Sequence, residues 1–332
     1  MSVIIIAEAG VNHNGDYNIA KQLIIESKKM GADIVKFQMF DADKLASSRA
    51  KMAEYQRKNL GVEMSQKDML SRLMLQPDDF VRLAHFCDEL GIGFLTTPFD
   101  IGSIHFLNKL QKMWKIPSGE ITNYPYLVEI AKTGKDVIMS TGMSTLKEVD
   151  EAVEVLRENR AGSITLLHCT TSYPACLEDV NLKAMITLKE HFGCAVGYSD
   201  HTVGIDVAIA SVAMGAQVIE KHLTLDRNMN GPDHKASLEP REFADMIRGI
   251  RNVEKALGDG SKSPARVEIS NIEVARKSIV AAQNIKKGDI LTETNLTTKR
   301  PGTGISPMKW REIIGTKAIK DFYKDDLIEA NL

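Results

Sequence analysis

Two histidines, His201 and His222, stand 21 positions apart in Y-S-D-H-T-V-G and V-I-E-K-H-L-T-L-D, each just past a short β-type run, at 195–198 and 217–219. A helical pattern over 205–214 separates them, so two adjacent parallel strands would bring both imidazoles to one edge of a sheet. Neutral imidazole is a common ligand of divalent cations. Asp200, Glu220, Asp226 and Asp233 crowd the same stretch and are expected to orient the rings or hold metal-bound water. Two plain hydrogen-bonded histidines at strand ends would give the same pattern. A cation held by only two histidines keeps positions open for water and substrate oxygen, which suits a Lewis acid polarising a carbonyl. Mixed nitrogen and oxygen ligation suits manganese, with zinc, cobalt and iron(II) as alternatives.

A second set consists of lysines where lysines are costly. Lys36 in V-K-F-Q and Lys115 in K-I-P-S-G-E sit toward the ends of apolar runs, where a buried ammonium needs an anionic partner. Ser118 and Gly119 add a hydroxyl and an unobstructed backbone N–H. With Thr97, Thr171 and Ser199 they would form a pocket for a small compound bearing phosphate and carboxylate. Internal ion pairs with Glu8 and Glu120 are the competing explanation for the two lysines.

These groups need a scaffold that gathers them. Strand patterns at 3–7, 34–38, 93–96, 114–116, 137–140, 164–168, 195–198 and 217–220 alternate with helical patterns such as 19–30, 80–90, 127–132, 147–158 and 243–257. Eight such units within 258 residues predict a (β/α)8 TIM barrel. No G-x-G-x-x-G follows the first strand, which argues against a doubly wound sheet. Every predicted strand ends in polar residues: Glu8 with Asn12 and His13, Lys36 and Gln38, Thr96 and Thr97, Lys115 with Ser118 and Glu120, Ser140 and Thr141, His168 with Thr170, Thr171 and Tyr173, Ser199 to His201, and Glu220 with His222. One such residue reads as a helix cap. All eight ends together read as the rim of an active site.

Composition narrows the class. The 332 residues are 43% hydrophobic and 26% charged, as in globular proteins generally, and 42 basic residues face 44 acidic ones. That balance gives no reason to expect nucleic acid or an anionic membrane surface as partner. The apolar run at 3–6 is too short for a signal peptide, so a cytoplasmic protein is expected. Cys87, Cys169, Cys176 and Cys194 lack C-x-x-C spacing and read as reduced packing residues. After Gly258, D-G-S-K-S-P-A marks a linker, giving an expected division into a barrel at 1–258, a linker at 259–275 and a small domain at 276–332.

The motifs A-E-A-G-V-N-H-N-G-D (7–16), V-K-F-Q (35–38), T-T-P-F-D (96–100), K-I-P-S-G-E (115–120), S-T-G-M (140–143), H-C-T-T-S-Y-P (168–174), G-Y-S-D-H-T (197–202), E-K-H-L-T-L-D (220–226) and G-P-D-H (231–234) together resemble the sialic acid synthase family. The likeness continues through A-R-K-S-I-V-A and T-K-R-P-G-T-G-I-S-P and spans essentially the whole chain. It implies a TIM barrel followed by an antifreeze-like (SAF) domain that reaches across a domain-swapped homodimer, here expected to cover the barrel mouth. It also implies condensation of phosphoenolpyruvate with an N-acetylated amino sugar to give a nine-carbon sialic acid and phosphate, with C–O cleavage.

By that resemblance His201 and His222 are the metal ligands, and Lys36, Thr97, Lys115, Ser118 and Ser199 form the phosphoenolpyruvate pocket. Glu8, Tyr173 and Asp233 face the sugar, Glu120 neighbours the metal or its water, and Arg300 contacts the N-acetyl group. Thr171 stands where other members place Asn. Glu8 and Glu120 are the candidates for proton transfer. N-acetylmannosamine and the diacetamido-trideoxyhexoses leading to legionaminic or pseudaminic acid remain alternative acceptors, and Y-Q-R-K-N (55–59) leans toward neuraminic or legionaminic acid synthases. A related phosphoenolpyruvate-condensing synthase, a metal-dependent aldolase and a non-catalytic carbohydrate-binding protein are the competing classes.

Overall fold

The computed structural model describes residues 2–47 and 49–330, which divide into two compact units at Gly258/Asp259. In the first unit eight parallel strands, β1 (Ile4–Gly10), β2 (Ile34–Met39), β3 (Gly93–Pro98), β4 (Met113–Ile116), β5 (Asp136–Ser140), β6 (Ile164–Cys169), β7 (Ala195–Asp200) and β8 (Val218–His222), pair in the order β3-β2-β1-β8-β7-β6-β5-β4. Strands β3 and β4, consecutive in the chain, meet at the seam, and the sheet curls into a near-closed TIM-type barrel.

The layering follows from a two-residue period. On each strand one parity faces the barrel axis: Ile4 and Ile6, Ile34, Leu95, Met113, Ile138, Leu167 and Val218 form a small apolar plug. On β7 that interior position is Gly197, where a Cβ would lie 2.2 Å from the Val218 carbonyl oxygen and 2.7 Å from Leu167. The opposite parity, including Ile5, Val35, Trp114, Val137, Leu166 and Ile219, packs against the helices in the main core.

The surrounding helices are α1 (Tyr17–Met30), the inserted α2 (Ala42–Leu45), α3 (Glu54–Leu60) and α4 (Gln66–Ser71), then α5 (Pro77–Leu90), α6 (Ile101–Leu107), α7 (Tyr124–Ala131), α8 (Leu146–Glu158), α9 (Ala184–Phe192), α10 (Asp206–Ala213) and α11 (Pro240–Leu257). Their starts are written in the sequence. Asp16 caps α1 by accepting from the Asn18 and Ile19 N–H groups, and Thr145 with Glu148 forms a capping box on α8. Three differences from the sequence reading matter. Most strands run one to three residues further toward their carboxyl ends, because the polar residues there belong to the strands. Helices α2 to α4 form a wall that the sequence pattern did not suggest. Its apolar side, with Phe40, Leu45, Met69, Leu70 and Leu73, has a cluster of its own. The third lies beyond the barrel, where the stretch read as a linker contains a 3-10 turn at Arg266–Glu268 and helix α12 (Ile269–Ala275).

The second unit has its own core. Antiparallel strands β9 (Ser278–Ala281) and β10 (Leu296–Lys299) and helix α13 (Trp310–Ile313) gather Ile279, Ile285, Leu291, Ile313, Phe322 and Ile328. Among the described residues no helix is long and apolar enough to cross a membrane.

Candidate active site

The parity that builds the apolar plug also builds the site. Two residues beyond each plug position, toward the carboxyl end, come Glu8, Lys36, Thr97, Lys115, Ser140, Cys169, Ser199 and Glu220, and a further two along β8 comes His222. All of these line one cavity of about 400 Å³, together with Gln38, Tyr55, Ser118, Thr171, Tyr173, His201 and Asp233. Of the residues singled out from sequence, Glu8, Lys36, Thr97, Lys115, Ser118, Thr171, Tyr173, Ser199, His201, His222 and Asp233 are thus brought together.

Two are not. Glu120 is the last residue of the turn at Ser118–Glu120, outside the strand period, and its carboxylate accepts from the Asn123 amide at 2.6 Å instead of lining the cavity. Arg300 is exposed on the second unit, its Nε donating to the Ala275 carbonyl at 3.1 Å.

The cavity floor is a quartet of ionisable groups. Lys36 Nζ lies 2.8 Å from Glu8 and 3.7 Å from Glu220 and donates to Thr97 Oγ1 at 3.1 Å. Lys115 Nζ donates to Ser140 Oγ at 2.7 Å and the Ile116 carbonyl at 3.1 Å, with Glu220 at 3.7 Å. Gln38 donates to Glu8 at 2.8 Å and Ser199 to Glu220 at 2.9 Å. All four charged groups are buried. The partner of both lysines is therefore Glu220, and Glu8 for Lys36; the pairing with Glu120 considered from sequence does not occur.

Environment separates these groups. Burial works against Lys36, yet Glu220 and Glu8 outweigh it and raise its pKa. Lys115, whose nearest oxygens are uncharged, is pulled down by burial. Glu8 is pushed up by burial despite Lys36, whereas Glu220 is held down because Lys115 and Lys36 overcome its desolvation.

Next to the quartet stand the histidines, ring centroids 5.5 Å apart, with His222 the register partner of Glu8. His201 Nδ1 donates to the Thr170 carbonyl at 2.8 Å; burial works against its charged form, yet Cys169 and that carbonyl outweigh burial and raise its pKa. His222 is driven by burial well below the usual histidine range and is neutral, and its buried Nδ1 has no hydrogen-bond partner. Tyr173 packs on both rings, at 4.2 Å from His201 and edge-on at 5.7 Å from His222.

A divalent cation fits this donor set, as two imidazoles facing one cavity: His222 is already neutral, and His201 would give up its second proton on binding the cation. Among the described residues no group of three or more His, Cys, Asp and Glu side chains is arranged around a common point, so the remaining ligands would be water or substrate oxygens. None of the nearby acids hydrogen-bonds a histidine ring directly: Asp200 is paired with Lys221, and Glu220 is held by Ser199 and the lysines.

The wall formed by the inserted helices completes the cavity. Tyr55 stacks on Tyr173 at 5.0 Å and its hydroxyl reaches Asp233 at 3.4 Å, while Asn59 donates to the Pro232 carbonyl at 2.7 Å. Asp233 is fixed from below, since Ser237 Oγ donates to its carbonyl at 2.7 Å and is itself held by Asn12 at 2.9 Å. Burial raises the Asp233 carboxyl to about 6.

The sequence reading puts Gln38 and Ser140 on the rim with no role, gives Glu220 a role only toward the histidines, and assigns Cys169 to packing. The signal was available, since each lies an even number of residues from an interior position on its strand. Tyr55 had no such signal, because it comes from a polar helix with no buried residue.

A parallel barrel whose strand ends converge two lysines, two glutamates and two histidines on one cavity is a (β/α)8 barrel with an enzyme-type site at its carboxyl rim. Comparison with known proteins resolves this further. Residues 23–262 match the NeuB family model and residues 276–332 the SAF domain model. The chain is 53% identical over 328 residues to N,N'-diacetyllegionaminic acid synthase of Campylobacter jejuni, with 98% of each chain covered. It is 46% identical over 322 residues to the Legionella pneumophila protein of the same name, covering 96% of this chain and 90% of that one. Among solved structures, N-acetylneuraminic acid (sialic acid) synthetase from Leptospira borgpetersenii superposes with a TM-score of 0.73 at 33% identity, over 82% of this chain and 91% of that one. The chain belongs to the NeuB family of sialic acid synthases, with a carboxyl-terminal SAF domain.

Proposed function

We propose that this chain condenses phosphoenolpyruvate with an N-acetylated amino sugar to give a nine-carbon sialic acid and inorganic phosphate. The observation that carries the reading is one cavity with Lys36 and Lys115 at its floor and His201 and His222, 5.5 Å apart, on its wall. The two lysines hold the phosphate and carboxylate, with Thr97, Ser118, Thr171 and Ser199 donating hydroxyls. A divalent cation on His201 and His222, with manganese proposed, would supply Lewis acidity toward a carbonyl oxygen.

Carbon C3 of phosphoenolpyruvate attacks the aldehyde carbon, whose oxygen takes up a proton; water adds at C2 and gives up a proton, and the C2–O bond breaks to release phosphate as the C2 hydroxyl loses its proton to leave the ketone. Glu8 is the proposed proton-handling group, because burial raises its pKa and it lies in the cavity. Tyr173 and Asp233 face the sugar.

The proposed acceptor is a diacetamido-trideoxyhexose, giving a legionaminic acid. The 53% and 46% identical relatives named for that product support this over N-acetylmannosamine. A homodimer in which Arg300 reaches the partner barrel, and a cytoplasmic site of action, complete the proposal. The test offers purified protein each acceptor with phosphoenolpyruvate and manganese, reading phosphate release and product mass. Condensation with the diacetamido sugar supports the reading, and release with N-acetylmannosamine alone reverses the acceptor assignment. Sugar binding without any metal-dependent phosphate release would make the chain a carbohydrate-binding protein.

A further inference from the structure

The two histidines follow, on adjacent strands, two charged residues that face away from the cavity. Asp200 and Lys221 are register partners in the β7–β8 ladder, with His201 and His222 the next residues along. Both side chains are fully buried, and Lys221 Nζ donates to Asp200 Oδ2 at 2.6 Å. The same ammonium donates to the Thr202 carbonyl at 2.7 Å. The other carboxylate oxygen of Asp200 accepts from both the Thr202 N–H and the Thr202 hydroxyl, each at 2.8 Å. Lys221, which precedes His222, therefore holds the side chain of the residue before His201 and the backbone carbonyl of the residue after it.

A buried ion pair is a poor way to gain stability, since well-packed apolar residues of similar volume serve equally or better. What it supplies is direction. A leucine and a methionine in this place would leave the Thr202 N–H without its acceptor and remove the hydrogen bonds that run from Thr202 through this pair to β8. We propose that Asp200 and Lys221 are positioning residues that fix the distance and orientation between His201 and His222, and thereby set the affinity of the site for its divalent cation. This inference rests on reading the two histidines as that cation's ligands. It assigns to the helix-facing side of the strands a function exerted through the cavity-facing side.

The test measures manganese binding to the full chain without substrates, by calorimetry and by the loss of the free-ion electron paramagnetic resonance signal. Lys221→Met alone leaves Asp200 as an uncompensated buried charge and is expected to lose stability, so the deciding variant is the double replacement Asp200→Leu, Lys221→Met. That variant should fold and bind phosphoenolpyruvate in metal-free buffer as wild type does, because Lys36 and Lys115 lie on other strands and the neighbouring Ser199 and Glu220 face the cavity, held by each other and by those lysines rather than by the replaced pair. Its manganese dissociation constant should rise by about tenfold to a hundredfold, the usual effect of removing groups that orient metal ligands. Wild-type manganese affinity in the folded double variant would overturn the proposal, leaving the pair a structural element only. Failure of both variants to fold would also overturn it, by making the pair a folding determinant. If wild-type protein itself binds no manganese, the ligand assignment under the proposed function fails first, a result distinct from either.

Discussion

Lys36 and Lys115 both border the proposed anion pocket, yet the structure predicts different penalties for losing them. Replacing Lys36 with Met removes the ammonium lying 2.8 Å from Glu8 and 3.7 Å from Glu220, and leaves two buried carboxylates facing each other. Breaking a buried pair from one side costs about 3–5 kcal/mol. Lys115→Met removes a group whose nearest contacts are the Ser140 hydroxyl and the Ile116 carbonyl, with Glu220 at 3.7 Å, so the loss should be nearer about 1–2 kcal/mol. Phosphoenolpyruvate affinity should fall in both by about 2 kcal/mol or more, roughly thirtyfold.

The pH dependence gives a second handle. The raised pKa of Lys36 means that its contribution to stability is fully present below the ordinary lysine value and is lost only as pH rises through the higher folded value. In Lys36→Met, Glu8 becomes a carboxyl with a raised pKa and no counter-charge. The variant should then be relatively more stable in acid, and its deficit should widen as pH rises. Urea unfolding followed by fluorescence of the fully buried Trp114, in a Trp310→Phe background, isolates the barrel, and calorimetry reads phosphoenolpyruvate binding. Equal stability of the two variants, with no pH-dependent divergence, would refute the charge quartet as described.

Three further outcomes are expected. In the His222→Ala protein, manganese-restored activity after chelation should disappear while the thermal transition of the barrel persists, checked by activity assay and circular dichroism, because His222 contributes no side chain to the apolar core. Arg300→Ala should raise the KM for the sugar and leave phosphoenolpyruvate affinity unchanged, and mixed dimers with His201→Ala chains should recover activity if the arginine serves the partner's site. Asp233, raised to about 6 by burial, favours the folded state fully below its ordinary carboxyl range, and that contribution is lost as pH rises through about 6. Metal-free Asp233→Asn protein should therefore be more stable than wild type above pH 6 and not below pH 4, as denaturation midpoints across that range would reveal.

The barrel was legible because its signals are local and periodic. Apolar runs of strand length alternate with helices whose caps, such as Asp16 and Thr145, are written in the sequence. The site was legible where a residue belongs to a strand, since parity ties Lys36 to Ile34 or Glu220 to Val218. It failed where parity ends. Glu120 lies three residues past a proline that breaks the strand period, and sequence alone gives no sign that its carboxylate turns to Asn123. Helices α2 to α4 were missed because α3 exposes or half-exposes every residue and owes its place to polar contacts such as Asn59 with Pro232, which no hydrophobic pattern encodes. The Asp200–Lys221 pair was visible only as two charges in a polar segment; that both face the helices is a consequence of register.

The separation between barrel floor and inserted wall has an evolutionary consequence. The floor is encoded in strands, where a single inserted or deleted residue would exchange Lys221 for His222 and turn the histidine toward the helices. Such a floor tolerates no change of length. The segment 41–75 carries Leu45, Tyr55, Met69, Leu70 and Leu73 into the same cavity from outside the barrel ladder, so it can lengthen, shorten or change sequence without disturbing any strand. A lineage could therefore keep the chemistry of the floor fixed and acquire a new acceptor by exchanging one connection of the barrel.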